Sequence, residues 1–138
     1  MTTEKKNTFQ VILLGIIYDP QKKKILIGRR ENDPQLKKLS WCFPGGRPCY
    51  EEDIEKCLEK KIKLKTGLEV TNLGSVFSKT YPEKRDLLAV YYLCEVIKGK
   101  EKPADDLKEL KWVSPEELEK YFTISFHPHL KEYILNLK

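Results

Sequence analysis

Residues 41–68 read WCFPGGRPCYEEDIEKCLEKKIKLKTGL. A short apolar stretch leads into a Pro-Gly-Gly turn, and the long helical pattern of the chain follows at 53–66. Asp53 is placed to cap the N-terminus of this helix, and Gly67 is placed to end it in the left-handed conformation. The segment therefore predicts a sharp turn that is joined by a polar loop to an amphipathic helix.

Two lysines break the amphipathic pattern of this helix. On a helical wheel we assign one arc to the apolar side chains, and Lys61 and Lys65 fall near the middle of that arc. The residues assigned to the apolar arc are Ile54, Cys57, Leu58, Ile62 and Leu64. A lysine directed at a core is costly unless it is paired or reaches solvent. Either the two stems pack while their ammonium groups reach an edge, or this face lines a polar site.

The rest of the chain predicts a mixed sheet with flanking helices. Alternating or continuous apolar patterns predict strands at 11–18, 25–30, 40–43, 70–81, 87–97 and 107–113. The polar loop 82–86 predicts a hairpin between two of these strands. Ser114-Pro115-Glu116-Glu117 is typical of a helix start, and a last amphipathic helix is predicted at 128–137. This order of elements indicates the α/β or α+β class.

Length and charge narrow the class of protein. The 138 residues predict one domain over 1–138, without a membrane span or a signal peptide, because residues 1–7 are polar. Lys and Arg total 26 against 21 for Asp and Glu, so the net charge of +5 favours anionic partners but makes nucleic acid an unlikely one. The sequence carries no signal for an oligomeric state.

The cysteines indicate a reducing compartment. The chain has four, Cys42, Cys49, Cys57 and Cys94, and none forms a Cys-x-x-Cys pair. This spacing is typical neither of a disulfide framework nor of a zinc site. Reduced thiols and a cytoplasmic location are therefore predicted.

The same helical segment resembles the Nudix box. Gly46, Glu52, Ile62, Gly67 and Leu68 match that family's pattern in register. Lys60 stands where the family usually has Arg, which keeps the charge but loses the bidentate fork. The Trp-x-Phe-Pro-Gly-Gly approach and the segment 109–118 are also similar to Nudix domains. The resemblance implies an α/β/α sandwich around a mixed β-sheet.

The residues of the family's metal chemistry are replaced in this sequence. The three box glutamates that bind magnesium or act as base correspond to Lys61, Leu64 and Lys65. Magnesium needs oxygen ligands, and a lysine offers only donors of the wrong charge. The resemblance leaves Glu52, which pairs with the box Arg position in the family, and the carbonyl of Gly45, which is a usual metal ligand there. Weak metal candidates remain in the loop at Asp105 and Asp106, although a solvated loop is the simpler interpretation.

These departures favour a binding protein with a degenerate box and little or no hydrolysis. We expect a small nucleotide-like or pyrophosphate-like ligand, no cofactor, and magnesium only if hydrolysis is retained. The predicted ligand-binding residues are Lys61, Lys65, Gly45, Gly46, Tyr92 and Phe77, with Tyr81 as a further stacking candidate.

Two alternative functions remain open at this point. One is an active hydrolase that cleaves a nucleoside diphosphate-linked substrate with displaced acids, for which Glu51, Asp53, Glu55 and Glu59 are available. The other is a protein-interaction module that keeps only the fold, since a fold alone does not determine function.

Overall fold

The computed structural model describes residues 7–36 and 39–137. The N-terminal residues 1–6, which carry most of the polar segment discussed above, lie outside the described residues. The strands are β1 Gln10–Asp19, β2 Lys24–Arg29, β3 Trp41–Cys42, β4 Gly45–Gly46, β5 Glu69–Tyr81, β6 Lys84–Lys98 and β7 Glu109–Val113. The helices are α1 Ile54–Thr66 and α2 Pro128–Leu135, with a 3₁₀ turn at Leu118–Tyr121.

The strands form one mixed sheet in the order β3-β2-β1-β6-β5, with β4 paired to β1 and β7 paired to β2. Strands β1 and β6 run parallel, and Gln10 lies opposite Leu87 in their register. The other pairings are antiparallel, including the predicted β5–β6 hairpin. The prediction of a mixed sheet is therefore confirmed.

Strand β1 is buried on both faces because its aliphatic and β-branched side chains alternate between two cores. Leu13 and Ile17 join the core that also contains Leu58 and Ile62 of α1. Ile16 belongs to the core on the other face, which also contains residues of α2 and of the 3₁₀ turn. Helical elements thus cover both faces of the sheet, which confirms the predicted α/β/α sandwich. Neither α1 nor α2, the helices of the described residues, is long and apolar enough to cross a membrane.

Helix α1 ends where the sequence predicts, but not all of the side chains predicted to be buried on it are buried. Gly67 has a φ of 78° and its N–H donates to the carbonyl of Lys63, as predicted for a left-handed C-cap. Asp53 is the N-cap residue, although its side chain makes no capping hydrogen bond. Leu64 is 61% exposed because it lies two residues, about 200°, around the helix from the buried Ile62.

Ile54 is also exposed, since it is the first residue of α1. Assigning Ile54 and Leu64 to the buried arc was therefore wrong. The predicted helix start at 114–117 is wrong as well, because the chain forms only the 3₁₀ turn that begins at Leu118. Ser114 Oγ contacts Glu117 Oε1 at 3.3 Å, and neither side chain caps a backbone N–H there.

The cysteine prediction is wrong for one pair. Cys49 and Cys57 form a disulfide, with their Cα atoms 5.8 Å apart, and this bond ties the loop before α1 to the first turn of the helix. Cys42 and Cys94 are buried free thiols. Sequence spacing missed the bridge because the approach of the two cysteines depends on how the loop folds back. The cysteine argument for a reducing compartment therefore no longer holds.

Candidate functional site

A cavity of about 340 Å³ opens where β4, α1 and the loop before β7 meet the edge of one core. Its lining includes Gly45, Gly46, Lys61 and Lys65, so four of the predicted ligand-binding residues converge there. This volume lies in the range of small-molecule sites. The cavity is therefore the candidate functional site.

The two glycines let the backbone approach closely at this point. Strand β4 pairs with β1, with Gly45 opposite Leu14 and Gly46 opposite Leu13. A Cβ atom on Gly45 would lie 1.9 Å from the carbonyl oxygen of Leu13, a separation that no side chain tolerates. A Cβ atom on Gly46 would lie 3.0 Å from Cδ of Lys61 and 3.6 Å from Nζ of Lys65. The two glycines, predicted as part of a turn, thus form a short strand that brings both lysines against its backbone.

Lys65 is buried, and its ammonium group has two oxygen partners. Its side chain is 10% exposed, and Nζ donates to the carbonyl oxygen of Gly45 at 2.5 Å. The same ammonium group lies 3.2 Å from Oδ2 of Asp106. Lys65 therefore reaches its partners across strand β4 instead of projecting into open solvent. Its charge is balanced by Asp106.

Asp106 connects Lys65 to a second cation. Arg30 NH1 lies 3.2 Å from Asp106 Oδ2 and 3.2 Å from Asp33 Oδ2. Asp33 is 8% exposed, and its Oδ1 also accepts hydrogen bonds from the N–H groups of Gln35 and Leu36. The sequence did not predict Arg30 and Asp33 as site residues. The basic end of the predicted strand 25–30 was the one signal that pointed to Arg30. These paired charges form a rigid polar wall.

Lys61 and Arg47 carry the other two positive charges of the cavity lining. Lys61 is half-buried and Arg47 is exposed. Neither forms an ion pair with a residue in the described ranges 7–36 and 39–137. Lys61 and Arg47 therefore add positive charge to a lining whose one other acid, Asp105, is exposed and forms no ion pair with a described residue.

The thiol of Cys42 also lines the cavity. Burial raises the pKa of this thiol to about 12, so it is neutral at physiological pH. The thiolate is the reactive form of cysteine. Cys42 therefore contributes a packed, unreactive surface.

The remaining box residues have separate positions. Lys60 Nζ lies 2.9 Å from Glu52 Oε2, which is the pairing that the resemblance implied. Glu52 and Lys60 are not part of the cavity lining, whereas the exposed Leu64 is. Glu52 therefore ties the loop before α1 to the helix through Lys60, and it does not contribute to the cavity.

The residues at the family's metal positions do not fit a magnesium ion. Lys61 and Lys65 are cations, Leu64 is apolar, and the oxygen atoms of Gly45 and Asp106 already hold the Lys65 ammonium group. Across the described residues, no group of three or more His, Cys, Asp or Glu side chains is arranged to hold a metal. Asp105 lines the cavity but is exposed. The ammonium group of Lys65 thus occupies the Gly45 carbonyl and one oxygen of Asp106, and its positive charge opposes a metal ion at the same place.

The acids considered as replacements lie elsewhere. Glu51, Asp53 and Glu55 are exposed, and Glu59 accepts a hydrogen bond of 2.9 Å from the N–H of Asn72. None of these four lines the cavity.

The aromatic candidates are divided by the sheet. Tyr81 lines the cavity, and burial raises its pKa to about 12, so its hydroxyl stays protonated. Phe77 packs against Tyr91 and His127 outside the cavity lining. Tyr92 is buried in the core on the α1 face and does not line the cavity either. The structure therefore does not bring Phe77 and Tyr92 to the predicted site.

Comparisons with known proteins agree with this architecture. A protein named ADP-ribose pyrophosphatase from Methanocaldococcus jannaschii is 33% identical over 94 residues, which are 64% of this chain and 53% of that protein. The match thus spans about half the length of that relative.

Solved structures show the same fold at low identity. A MutT protein from Methanosarcina mazei Go1 has a TM-score of 0.75 and 15% identity, with 95% of this chain and 94% of that chain covered. A NUDIX hydrolase from Nitrosomonas europaea has a TM-score of 0.73 and 18% identity, with coverage of 96% and 73%. The family model described as NUDIX domain matches residues 8–134. With nearly its whole length matched by that model, the chain belongs to the NUDIX family.

Proposed function

We propose that this chain binds a pyrophosphate-like or nucleotide-like anion without a metal ion, and that it hydrolyses this ligand weakly or not at all. The observation that carries the proposal is the Lys65 ammonium group, which is bound to Gly45 O and Asp106 Oδ2. A fixed positive charge of the protein occupies the oxygen ligands that a metal would otherwise use. The name of the Methanocaldococcus jannaschii relative supports a ligand that contains a pyrophosphate group.

The two lysines have different parts in this proposal. Lys65 is already paired, so its ammonium group holds strand β4 in position and contributes a fixed positive charge near the ligand. Lys61 lies against Gly46 and has no acidic partner among the described residues, so it contacts the phosphate oxygens directly. Such charge-assisted hydrogen bonds are shorter and stronger than neutral ones. Arg47 at the mouth adds a second donor.

Weak or absent hydrolysis follows from the same residues. Metal-assisted hydrolysis of a phosphoanhydride needs ions that activate water and neutralise the developing charge. Carboxylates are missing at the three box positions, and no displaced acid from 51–59 reaches the cavity. The bound anion therefore lacks a metal platform, and the carboxylates of the lining are the ion-paired Asp33 and Asp106 and the exposed Asp105.

The test is calorimetry with pyrophosphate and ADP-ribose in buffer containing EDTA. We expect binding by the natural protein and a loss of at least tenfold in affinity for Lys61→Met, which corresponds to one charge-assisted contact. Lys63→Met is the matched control, because Lys63 is exposed on the same helix and does not line the cavity. Equal affinities of the natural protein and Lys61→Met would refute direct contact.

A second assay addresses hydrolysis. Release of a monophosphate from ADP-ribose, dinucleoside polyphosphates or nucleoside triphosphates should stay near background with magnesium present. Lys61→Glu alone should not restore it, because one carboxylate does not make a metal site. Strong magnesium-dependent release by the natural protein would favour an active hydrolase, and no binding of any anion would favour an interaction module.

A further inference from the structure

The wall of the cavity away from α1 combines a continuous apolar surface with the paired charges of Arg30, Asp33 and Asp106. It continues the core that contains Phe43 and Leu87, and several of its side chains are only partly covered by protein. The apolar side chains of this wall include Ile12, Leu14, Phe43, Leu87, Phe122 and Ile124. A ligand held by Lys61 at the mouth therefore meets aromatic and aliphatic surface further in.

The charged side chains of this wall are already paired with protein groups. Both oxygens of Asp33 are used, one by the N–H groups of Gln35 and Leu36 and the other by Arg30. Arg30 NH1 is shared between Asp33 and Asp106. Arg30 Nε and Asp106 Oδ1 have no hydrogen-bond partner among the described residues, but both atoms are buried, so a ligand in the cavity does not reach them. The carboxylate of Asp33 is thus fully occupied before any ligand enters.

Two neutral polar side chains of the wall, Gln35 and Tyr81, also bond to protein groups. The side-chain amide of Gln35 donates to Gln10 Oε1, and the hydroxyl of Tyr81 lies 3.3 Å from that of Tyr91. A nucleobase carries several donors and acceptors on its edges. Burying such groups without partners weakens binding. The wall therefore favours a ligand body without polar edges.

We infer that the preferred ligand of this site is a phosphate or diphosphate ester of an apolar aryl or alkyl group, and that nucleotides bind it more weakly. The inference rests on the proposed function, since it assumes that Lys61 holds the anionic end. The apolar body then packs against Phe43 and Phe122, where it gains the free energy of removing hydrocarbon surface from water. The charged end and the apolar wall lie in one continuous cavity, which selects a ligand with both features.

The test compares three probes by calorimetry in buffer containing EDTA: inorganic pyrophosphate, adenosine monophosphate and naphthyl phosphate. Both esters are phosphate monoesters that contain a fused two-ring system. Adenosine monophosphate adds a ribose and the polar edges of the base, and these are the polar groups for which the wall offers no partners. We expect naphthyl phosphate to bind at least tenfold more tightly than adenosine monophosphate. Phe122→Ala should weaken naphthyl phosphate at least fivefold and leave pyrophosphate unchanged.

Phe77→Ala is the matched control, because Phe77 packs against the same core but does not line the cavity. It should leave the affinities for all three probes unchanged. If pyrophosphate or adenosine monophosphate binds but naphthyl phosphate is no tighter than adenosine monophosphate, the inference is wrong and the proposed function stands. If no probe binds, both fail. The relative affinities of the natural protein for the three probes test the inference even if a phenylalanine variant does not fold.

Discussion

Replacing Lys65 with methionine should destabilise the protein far more than the same change at Lys61. Lys65→Met keeps most of the apolar stem but removes the charge-assisted hydrogen bond to the Gly45 carbonyl, which contributes about 1.5–3 kcal/mol. It also removes the ion pair with Asp106, which is 32% exposed, so this part contributes less than about 1 kcal/mol. Asp106 keeps Arg30 as a partner, so no carboxylate is left unpaired.

The expected loss in the free energy of unfolding is therefore about 2–3 kcal/mol for Lys65→Met. For Lys61→Met we expect a change within about 0.5 kcal/mol, because Lys61 has no ion-pair partner among the described residues. Urea unfolding at neutral pH measures both values. The melting temperature should fall by roughly 3–5 °C for each kcal/mol of lost unfolding free energy in a chain of this size.

A double-mutant cycle isolates the pair itself. Lys65→Met and Asp106→Asn, measured singly and together, should show a coupling free energy of about 0.5–1 kcal/mol. Equal destabilisation by Lys65→Met and Lys61→Met would refute the reasoning, because it would mean that the ammonium group of Lys65 is not held by Gly45 and Asp106.

Three further predictions concern the turn, the buried thiol and the disulfide. Gly45→Ala should cost more than about 3 kcal/mol in urea unfolding or prevent folding, because its Cβ atom would meet the Leu13 carbonyl, whereas Gly46→Ala should stay within about 1 kcal/mol because a flexible lysine stem can move. The free energy of unfolding should fall as pH rises from about 9 to about 12, because the unfolded chain ionises Cys42 near 9.0 while the folded chain keeps it protonated to about 12. Urea midpoints across the alkaline range should decline less steeply in Cys42→Ala, and an unchanged slope would contradict this. Reduction by a phosphine should lower the unfolding free energy by roughly 2–3 kcal/mol, the value for a short disulfide loop, and no shift of the thermal midpoint would refute the contribution of that bond.

Local features of the sequence predicted much of the fold. The limits of α1 follow from apolar spacing and from Gly67, whose left-handed conformation ends the helix. The burial of β1 follows from its continuous aliphatic pattern. The ion pair between Glu52 and Lys60 follows from the family resemblance. These features were predictable because each depends on residues that are close together in the sequence or on one family motif.

The candidate site was predicted less completely, because it depends on distant segments. Lys61 and Lys65 were identified from their positions on the helix, but the partners of Lys65 come from β4 and from the loop before β7. The ion pair of Arg30 with Asp33 is local, over three residues, but the contact of Arg30 with Asp106 joins two distant segments that no spacing in the sequence relates. The same limit explains the missed disulfide, which depends on the path of the loop before α1.

The parallel pairing of β1 with β6 has a consequence for the order in which the chain folds. Gln10 lies opposite Leu87, so β1 obtains one of its two central neighbours only after α1 and β5 have been synthesised. Pairing between such distant segments carries a large loop-closure entropy and slows folding. Until β6 arrives, β1 exposes one aliphatic edge, and this intermediate is the stage at which a growing chain is most prone to aggregate.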